Sequence, residues 1–242
     1  MTIIPGFLAP LAIALVLAAG SAGADQKDGA VFDLTLKGIH AGTLSISGAI
    51  EGRSYAASGV LESGGLVALV RKVRYDARVY GTVSGDRFTP SRYEEDADTG
   101  KRQSQSVMDY KAGVPQVKVY NPPKSPRPDD VDPATQGGTV DPLTALYATL
   151  RDVPKAEACN RKLALFDGRR RSQVVLSAPK PANGGLVCTG EYRRLEGFSE
   201  KEMAEKSRFP FTMTLAPIGD DRMRVTEISM DTIYGKGRLK RR

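Results

Sequence analysis

The sequence holds few residues that could carry out catalysis, and their spacing does not assemble a recognisable active site. Its one histidine, His40, falls in a predicted turn between strands and has no serine or cysteine nearby in a nucleophile context. The G-x-S-x-G pattern of a nucleophile elbow is absent. Two opposed carboxylates, as in a glycosidase, could come from any chain this rich in acids, but the lack of tryptophan argues against a sugar platform. We therefore predict a protein that is not an enzyme and needs no cofactor.

The two cysteines, Cys159 and Cys188, are expected to form a structural disulfide. Their even number fits an oxidising compartment. A metal-binding or catalytic role would require a neighbouring histidine or a C-x-x-C motif, and the sequence has neither. Closing a loop of this length would contribute about 3–4 kcal/mol in the chain-entropy model. The acids within residues 94–101 and 121–139 lack the spacing of calcium ligands, so no metal site is predicted.

Two basic clusters could contact anionic groups. Arg169, Arg170 and Arg171 follow a predicted Asp-Gly turn, and residues 236–242 contain five basic side chains. Guanidinium groups suit phosphate and carboxylate oxygens. In an exported protein with a formal net charge of +7, lipid headgroups, lipopolysaccharide phosphates or acidic polymers are the reasonable partners, and nucleic acid is not expected. The alternative is that both clusters are simply solvated, as charge runs at turns and chain ends commonly are.

The N-terminal residues predict export. Residues 7–19 form an apolar run, and Ala22-Gly23-Ala24 fits the small-residue pattern of a signal-peptide cleavage site. We therefore predict a signal peptide over residues 1–24, cleaved after Ala24, and a single periplasmic β domain over residues 25–242. The apolar run is too short to span a bilayer, and no later run approaches that length, so no stable membrane span is predicted. A retained membrane anchor is the alternative.

Residues 141–151 carry the clearest helix pattern of the sequence. Asp141 can cap the first turn, Pro142 fits the first helical position, and Arg151 suits the negative end of the helix dipole. The i, i+3, i+4, i+7 spacing predicts one apolar stripe, formed by Leu143, Leu146, Tyr147 and Leu150. A helix this short is marginal alone, so its stripe must be buried, and a sheet is the available partner. The stripe either joins the core of that sheet or plugs a cavity in it.

Most of the remaining sequence alternates apolar and polar residues over short stretches separated by turns. Roughly ten to twelve such strands in meander order predict a mainly β fold, an open antiparallel barrel or half barrel, with one main short helix. Gly48 and Gly59 are expected to act as bulges or kinks in the curved sheet. Residues 66–72 are expected to form a short helix or an irregular crossover, and residues 121–139 a long loop.

Five motifs together resemble a family of exported proteobacterial proteins of unknown function. They are Gly-Leu-Val-Ala-Leu at residues 65–69, Phe-Thr-Pro-Ser-x-Tyr at 88–93, Asp-Pro-Leu-Thr-Ala-Leu at 141–146, Phe-Asp-Gly-Arg-Arg at 166–170 and Cys-Thr-Gly-x-Tyr-Arg at 188–193. The resemblance covers nearly the whole mature chain and brings no catalytic residues with it.

In outline the chain is also similar to periplasmic envelope-integrity proteins that form open β-spirals, and to lipoprotein carriers with a curved half barrel. In the carriers, helices cover the concave side of a sheet that encloses an apolar cavity. That similarity implies that the four apolar residues of the predicted helix, Leu143, Leu146, Tyr147 and Leu150, line or plug such a cavity.

Three functions are compatible with this sequence, and two of them lead. Export, a curved meander and one amphipathic helix favour a non-enzymatic cell-envelope protein that binds a lipid-like or other amphipathic ligand in its curved sheet. The alternative is a structural or interaction protein whose barrel is filled by side chains and which docks an envelope protein partner. An enzyme acting on envelope polymers is a distant third. An empty space beneath residues 143–150 would favour the first function, and a filled interior the second.

Overall fold

The computed structural model describes residues 25–123 and 125–242, so the predicted signal peptide and its cleavage after Ala24 lie outside the described residues. Among the described residues there are fifteen β-strands: β1 Gln26–Leu36, β2 Ile39–Glu51, β3 Ser54–Ser63, β4 Arg74–Ser84, β5 Arg87–Asp98, β6 Gln103–Lys111, β7 Val114–Asn121, β8 Val153–Pro154, β9 Lys162–Phe166, β10 Arg171–Leu176, β11 Lys180–Ala182, β12 Gly185–Glu196, β13 Arg208–Ile218, β14 Arg222–Thr232 and β15 Gly235–Arg241. The α-helices of the same residues are α1 Gly65–Val70, α2 Pro142–Leu150 and α3 Glu200–Glu205.

Thirteen of these strands form one continuous antiparallel sheet. Their spatial order is β7-β6-β5-β4-β3-β2-β1-β15-β14-β13-β12-β10-β9, while β8 and β11 pair at the side with β14 and β12. The sheet curves into a nearly closed barrel with a single seam. The predicted fold class, a mainly β antiparallel barrel with few helices, is confirmed, with thirteen consecutive strands where ten to twelve were expected.

The barrel interior is built from strands with the predicted two-residue alternation. In β13, Phe209, Phe211, Met213 and Leu215 are buried, whereas the residues between them are exposed. Because successive side chains point to opposite faces of a strand, one face enters the core and the other meets solvent. The same alternation places Phe32 of β1 and Leu44 of β2 in one continuous hydrophobic core.

Gly48 and Gly59 are not bulges. The β2–β3 ladder keeps one register through both positions, with Gly48 opposite Ala57 and Gly59 opposite Ile46. A β-carbon at Gly48 would lie 2.5 Å from a ring carbon of Tyr147, and one at Gly59 would lie 2.8 Å from a methyl group of Leu143. The two glycines therefore make room for α2 on the inner face of the sheet.

The long loop between β7 and α2 lies at the seam. Val140 donates a backbone hydrogen bond to Ala164 of β9 and accepts one from Phe166, both at 2.9 Å, so it extends the β9 edge as a parallel bridge. Gly138 donates to the carbonyl of Gly113, in the turn between β6 and β7, at 3.0 Å. The loop thus joins the two edges of the sheet and leads the chain into the barrel, where α2 begins.

The meander order places alternate turns at the same end of the barrel. One end, which we call the α1 end, carries the β1–β2 turn, α1, the β5–β6 turn and the β14–β15 turn. Lys37, in the β1–β2 turn, donates its backbone N–H to the carbonyl of Lys236, at the start of β15, at 2.8 Å. The other end, which we call the opposite end, carries the β2–β3, β4–β5, β6–β7 and β13–β14 turns.

Candidate functional site

Helix α2 begins and ends where its sequence predicts. Asp141 is the N-cap, and its Oδ1 accepts a hydrogen bond from the backbone N–H of Thr144 at 2.8 Å. Pro142 occupies the first helical position, where no backbone N–H is needed. Arg151 leaves the helical conformation, and its N–H donates to the carbonyl of Tyr147 at 3.0 Å. This nine-residue helix is therefore encoded locally.

Helix α2 lies in the interior of the barrel. Leu143, Tyr147 and Leu150 are almost completely buried and belong to the main hydrophobic core. The Tyr147 ring meets Phe88 edge to face, with centroids 5.9 Å apart, and stacks on Tyr55 at 6.5 Å. Together with the close approach to Gly48 and Gly59, these contacts fill the space beneath the helix with side chains.

Leu146 does not share this environment, and its expected place in the cavity lining is corrected. Its side chain is 37 % exposed, whereas the polar Thr144 is fully buried. Ala145, on another face of α2, packs with Val140 and Leu165 in a second small cluster. Burial therefore extends around most of the helix, and α2 is a plug inside the barrel, without the single buried stripe that the sequence predicted.

A buried hydrogen-bonded chain fixes the N-terminal end of the plug. The Thr144 hydroxyl donates to Asp141 Oδ2 at 2.6 Å and lies 2.8 Å from the Tyr55 hydroxyl. Asp141 is fully buried, and burial raises the pKa of its carboxyl to about 6, against the lowering effect of the hydrogen bonds from Thr144. The chain connects α2 to β3 through polar groups that have no access to solvent.

The C-terminal end of α2 is held by charged groups. The Tyr147 hydroxyl donates to Asp28 at 2.9 Å, and the backbone N–H of Asp152 donates to the same carboxylate at 3.1 Å. The carboxylate of Asp152 accepts from the Arg224 guanidinium at 2.5 and 3.0 Å. Because each acid has a protein partner, this network anchors the helix to β1 and β14.

Arg169, the first residue of the predicted anion-binding cluster, is engaged inside the protein. Its Nη2 lies 2.6 Å from Asp130 Oδ2, and the same nitrogen donates to the carbonyl of Ser125. Asp130 and Ser125 belong to the long loop between β7 and α2, so Arg169 links the β9–β10 turn to that loop.

The two following arginines have different partners. Arg170 pairs with Glu202 of α3 at 2.9 Å, and its guanidinium lies 4.9 Å from the Phe198 ring centroid. Arg171 donates to the side-chain oxygen of Gln136 at 3.2 Å. The structure therefore does not gather the three arginines into one free anion site, and each fastens a different connection to the barrel.

Cys159 and Cys188 are joined by a disulfide, with their Cα atoms 5.8 Å apart. Both are buried in the main core. The bond connects the segment before β9 to β12, and it therefore fixes the part of the chain that follows α2.

The exposed apolar residues of α1 form a surface that is not among the predicted site residues. Leu66, Leu69 and Val70 are 67 %, 83 % and 91 % exposed, and no residue of this helix is buried. A short helix was one of the two predicted structures for residues 66–72. The available signal was an apolar run between two glycines and two basic residues, but nothing in it indicated which side would be covered.

Two properties of the described part of the chain bear on possible functions. Within residues 25–123 and 125–242, no group of three or more His, Cys, Asp or Glu side chains could hold a metal ion. None of the helices in these residues has the length and apolar character needed to cross a membrane.

Comparison with known proteins gives a family and shows similarity to a solved structure. The family model described as "Protein of unknown function (DUF3108)" matches residues 31–179. The chain is also similar to the crystal structure of a β-barrel-like protein of the domain of unknown function DUF1849 from Brucella abortus. The two share 14 % sequence identity with a TM-score of 0.49, and the alignment covers 88 % of this chain and 94 % of that one. No curated protein matches this chain.

Proposed function

This chain belongs to the DUF3108 family, whose function is unknown, and we propose that it is a non-enzymatic cell-envelope protein acting through its outer surface. In this proposal the barrel is a scaffold filled by its own helix, and an envelope component docks on the outside. The expectation of export to the periplasm of a proteobacterium is part of the same proposal.

The observation that carries this proposal is the packing of α2. Tyr147 and Leu143 reach the two inner-face glycines so closely that a single added carbon atom would collide with them. A lipid-binding barrel of the carrier type needs an empty apolar interior, since such sites are typically several hundred Å³ in volume. The filled space beneath α2 supports the interaction protein over the protein that holds a ligand in its curved sheet.

Analysis of bound amphiphiles tests the filled interior. The protein is purified in its native processed form without detergent, and its mass is measured under native conditions before and after organic extraction. We expect no stoichiometric amphiphile. One stoichiometric lipid that survives purification and is released only on unfolding would overturn the proposal.

A cavity-forming variant provides the matched control. Leu143→Ala should open a dry apolar space large enough for a probe such as benzene or xenon, whereas the wild-type interior should exclude it. Equal binding of the probe by both proteins would show that the interior is already empty and would contradict the proposal.

Export is tested separately. Fractionation of cells that produce the full chain should place the protein in the periplasm, with Asp25 as its first residue. Recovery in the cytoplasm with the N-terminal residues intact would remove the cell-envelope part of the proposal.

A further inference from the structure

Helix α1 presents apolar side chains to solvent in a well-anchored element. Gly64, directly before it, donates its N–H to the carbonyl of Ala41 in β2 at 2.9 Å. Ser63 donates its backbone N–H to Val73 at 2.8 Å, and its hydroxyl accepts from the Val73 N–H at 2.9 Å. Both ends of the connection are therefore fixed to the sheet, and the exposed tip of Leu66, Leu69 and Val70 is part of the built structure.

Exposed apolar residues continue from α1 along the same end of the barrel. The imidazole of His40 packs against Gly64 and Gly65, and its neighbour Ile39 is more than half exposed. Tyr234, in the adjacent β14–β15 turn, is two-thirds exposed. Apolar side chains that cluster at one surface of a protein mark interaction sites more often than single exposed ones do.

The apolar tip is bordered by positive charge. A depression beside Leu69 and Val70 is lined by four basic residues, which are Arg71, Lys72, Lys101 and Arg102, and all four are exposed. We call these four residues the collar. The β5–β6 turn that carries two of them lies against the other two, because Arg71 Nε donates to the carbonyl of Thr99 at 2.9 Å.

Among the residues that line this depression, Asp98 is the one acid. Its carboxylate accepts from the backbone N–H of Gly100 at 2.8 Å and from the Gln103 side chain at 3.3 Å. Within the part of the chain that the structure describes, none of the four collar side chains forms an ion pair. The collar therefore offers four positive charges to a partner beside the apolar tip.

We propose that α1 and its collar dock on the surface of an anionic phospholipid bilayer, with Leu66, Leu69 and Val70 entering between the headgroups. This inference rests on the proposed function and names the partner. A stable protein interface buries about 800 Å² on each side in a complementary shape, which a convex six-residue helix cannot provide alone. A fluid bilayer adapts to a convex apolar tip, and anionic headgroups complement the collar.

The absence of tryptophan from the sequence gives a direct measurement of insertion. In Leu69→Trp, the new indole is the single tryptophan of the protein, and its emission should shift to shorter wavelength with vesicles of mixed phosphatidylcholine and phosphatidylglycerol. Vesicles of phosphatidylcholine alone should give a smaller shift. Tyr80→Trp, on the outer flank of β4, is the control and should show no shift with either vesicle, although Tyr80 is also exposed.

Vesicle cosedimentation then separates the tip from the collar. Replacing Leu69 and Val70 together by serine should weaken binding to the mixed vesicles at least about tenfold, because two apolar side chains lose their burial. Replacing Lys101 and Arg102 together by glutamine should weaken it by about 25-fold, since each basic residue near an anionic surface contributes about fivefold.

The matched charge control is Arg53→Gln combined with Arg87→Gln, which removes two exposed charges at the opposite end of the barrel. Its binding should stay within about twofold of wild type, because charges far from the surface are screened. Equal losses of vesicle binding in the collar and control variants would show that the attraction depends only on net charge, and would overturn the proposal. So would the absence of binding to mixed vesicles, or a tip variant that binds like wild type.

The two proposals fail in different experiments. A bound amphiphile in the barrel interior would overturn the filled scaffold without affecting insertion of the indole at residue 69. A photoreactive group at residue 69 that couples in cells to one protein and to no lipid would overturn the bilayer as partner, while leaving the surface-acting scaffold intact.

Discussion

Helices α1 and α2 are similar in sequence and opposite in environment. Both are short and contain the pattern Leu-x-Ala-Leu, but every residue of α1 lies outside the core, whereas six of the nine residues of α2 are buried. The difference follows from how the chain enters each helix. Helix α1 is inserted between neighbouring strands β3 and β4, which hold it at the barrel end, while a long loop carries α2 across the seam to the interior.

The comparison shows that apolar composition does not by itself determine burial. Hydrogen bonds from Ser63 and Gly64 hold the connection that contains α1 at the end of the barrel, and its apolar residues stay outside. Their exposure costs free energy relative to burial, and a surface that keeps such residues exposed has a use for them more often than not. In α2, the same kinds of side chain stabilise the fold.

The largest contrast is expected from truncating one leucine in each helix. Leu143→Ala should lower the free energy of unfolding by about 2–5 kcal/mol, because it leaves a cavity in the filled interior. Leu69→Ala should change it by no more than about 0.5 kcal/mol, because the side chain meets solvent. Denaturant titration of both variants measures the difference. Similar losses in the two variants would mean that α1 packs against something within the chain.

A second test of α2 concerns the pH dependence of the free energy of unfolding, to which its N-cap Asp141 contributes. Its pKa in the folded protein, about 6, is above the ordinary value of 3.8, so the folded state holds the proton more tightly than the unfolded state. The contribution of this group to stability is therefore full below about pH 4 and is lost as the pH rises through about 6.

Asp141→Asn should remove this dependence, because asparagine is a good N-cap that does not ionise. Relative to wild type, the variant should gain about 2–3 kcal/mol in the free energy of unfolding between pH 4 and pH 7. Asp141→Ala is the control, since it loses the cap as well as the charge. Parallel stability curves for wild type and Asp141→Asn across this range would show that the carboxyl is not buried as described.

The inner-face glycines give a smaller effect that tests the same packing from the sheet side. Gly59→Ala should destabilise the protein by about 1–3 kcal/mol, because the new methyl group collides with Leu143. Gly29→Ala is the matched control on β1, where no heavy atom lies within 4 Å of the added carbon. It should be neutral or slightly stabilising. Thermal unfolding of the pair is sufficient, and equal melting temperatures would indicate a loose interior.

Much of the fold could be predicted because its signals are local. The alternation in β13, the Asp141 cap followed by Pro142, and the pairing of two cysteines each depend on neighbouring residues or on a simple count. The candidate site could be predicted less well. Leu146 fits a helical stripe but lies on the exposed side, and the partners of Arg169 and Arg171 lie more than thirty residues away in the chain.

The sequence by itself determined the strands, the limits of α2 and the basic character of the surface, because these depend on residue types and short spacings. The tertiary structure decided that α2 is a plug and that Gly48 and Gly59 leave space for its side chains. It also decided that α1 stays outside, beside four basic residues. These outcomes depend on the order in which thirteen strands close around one helix. Contacts between residues distant in the chain arise only when that closure brings them together.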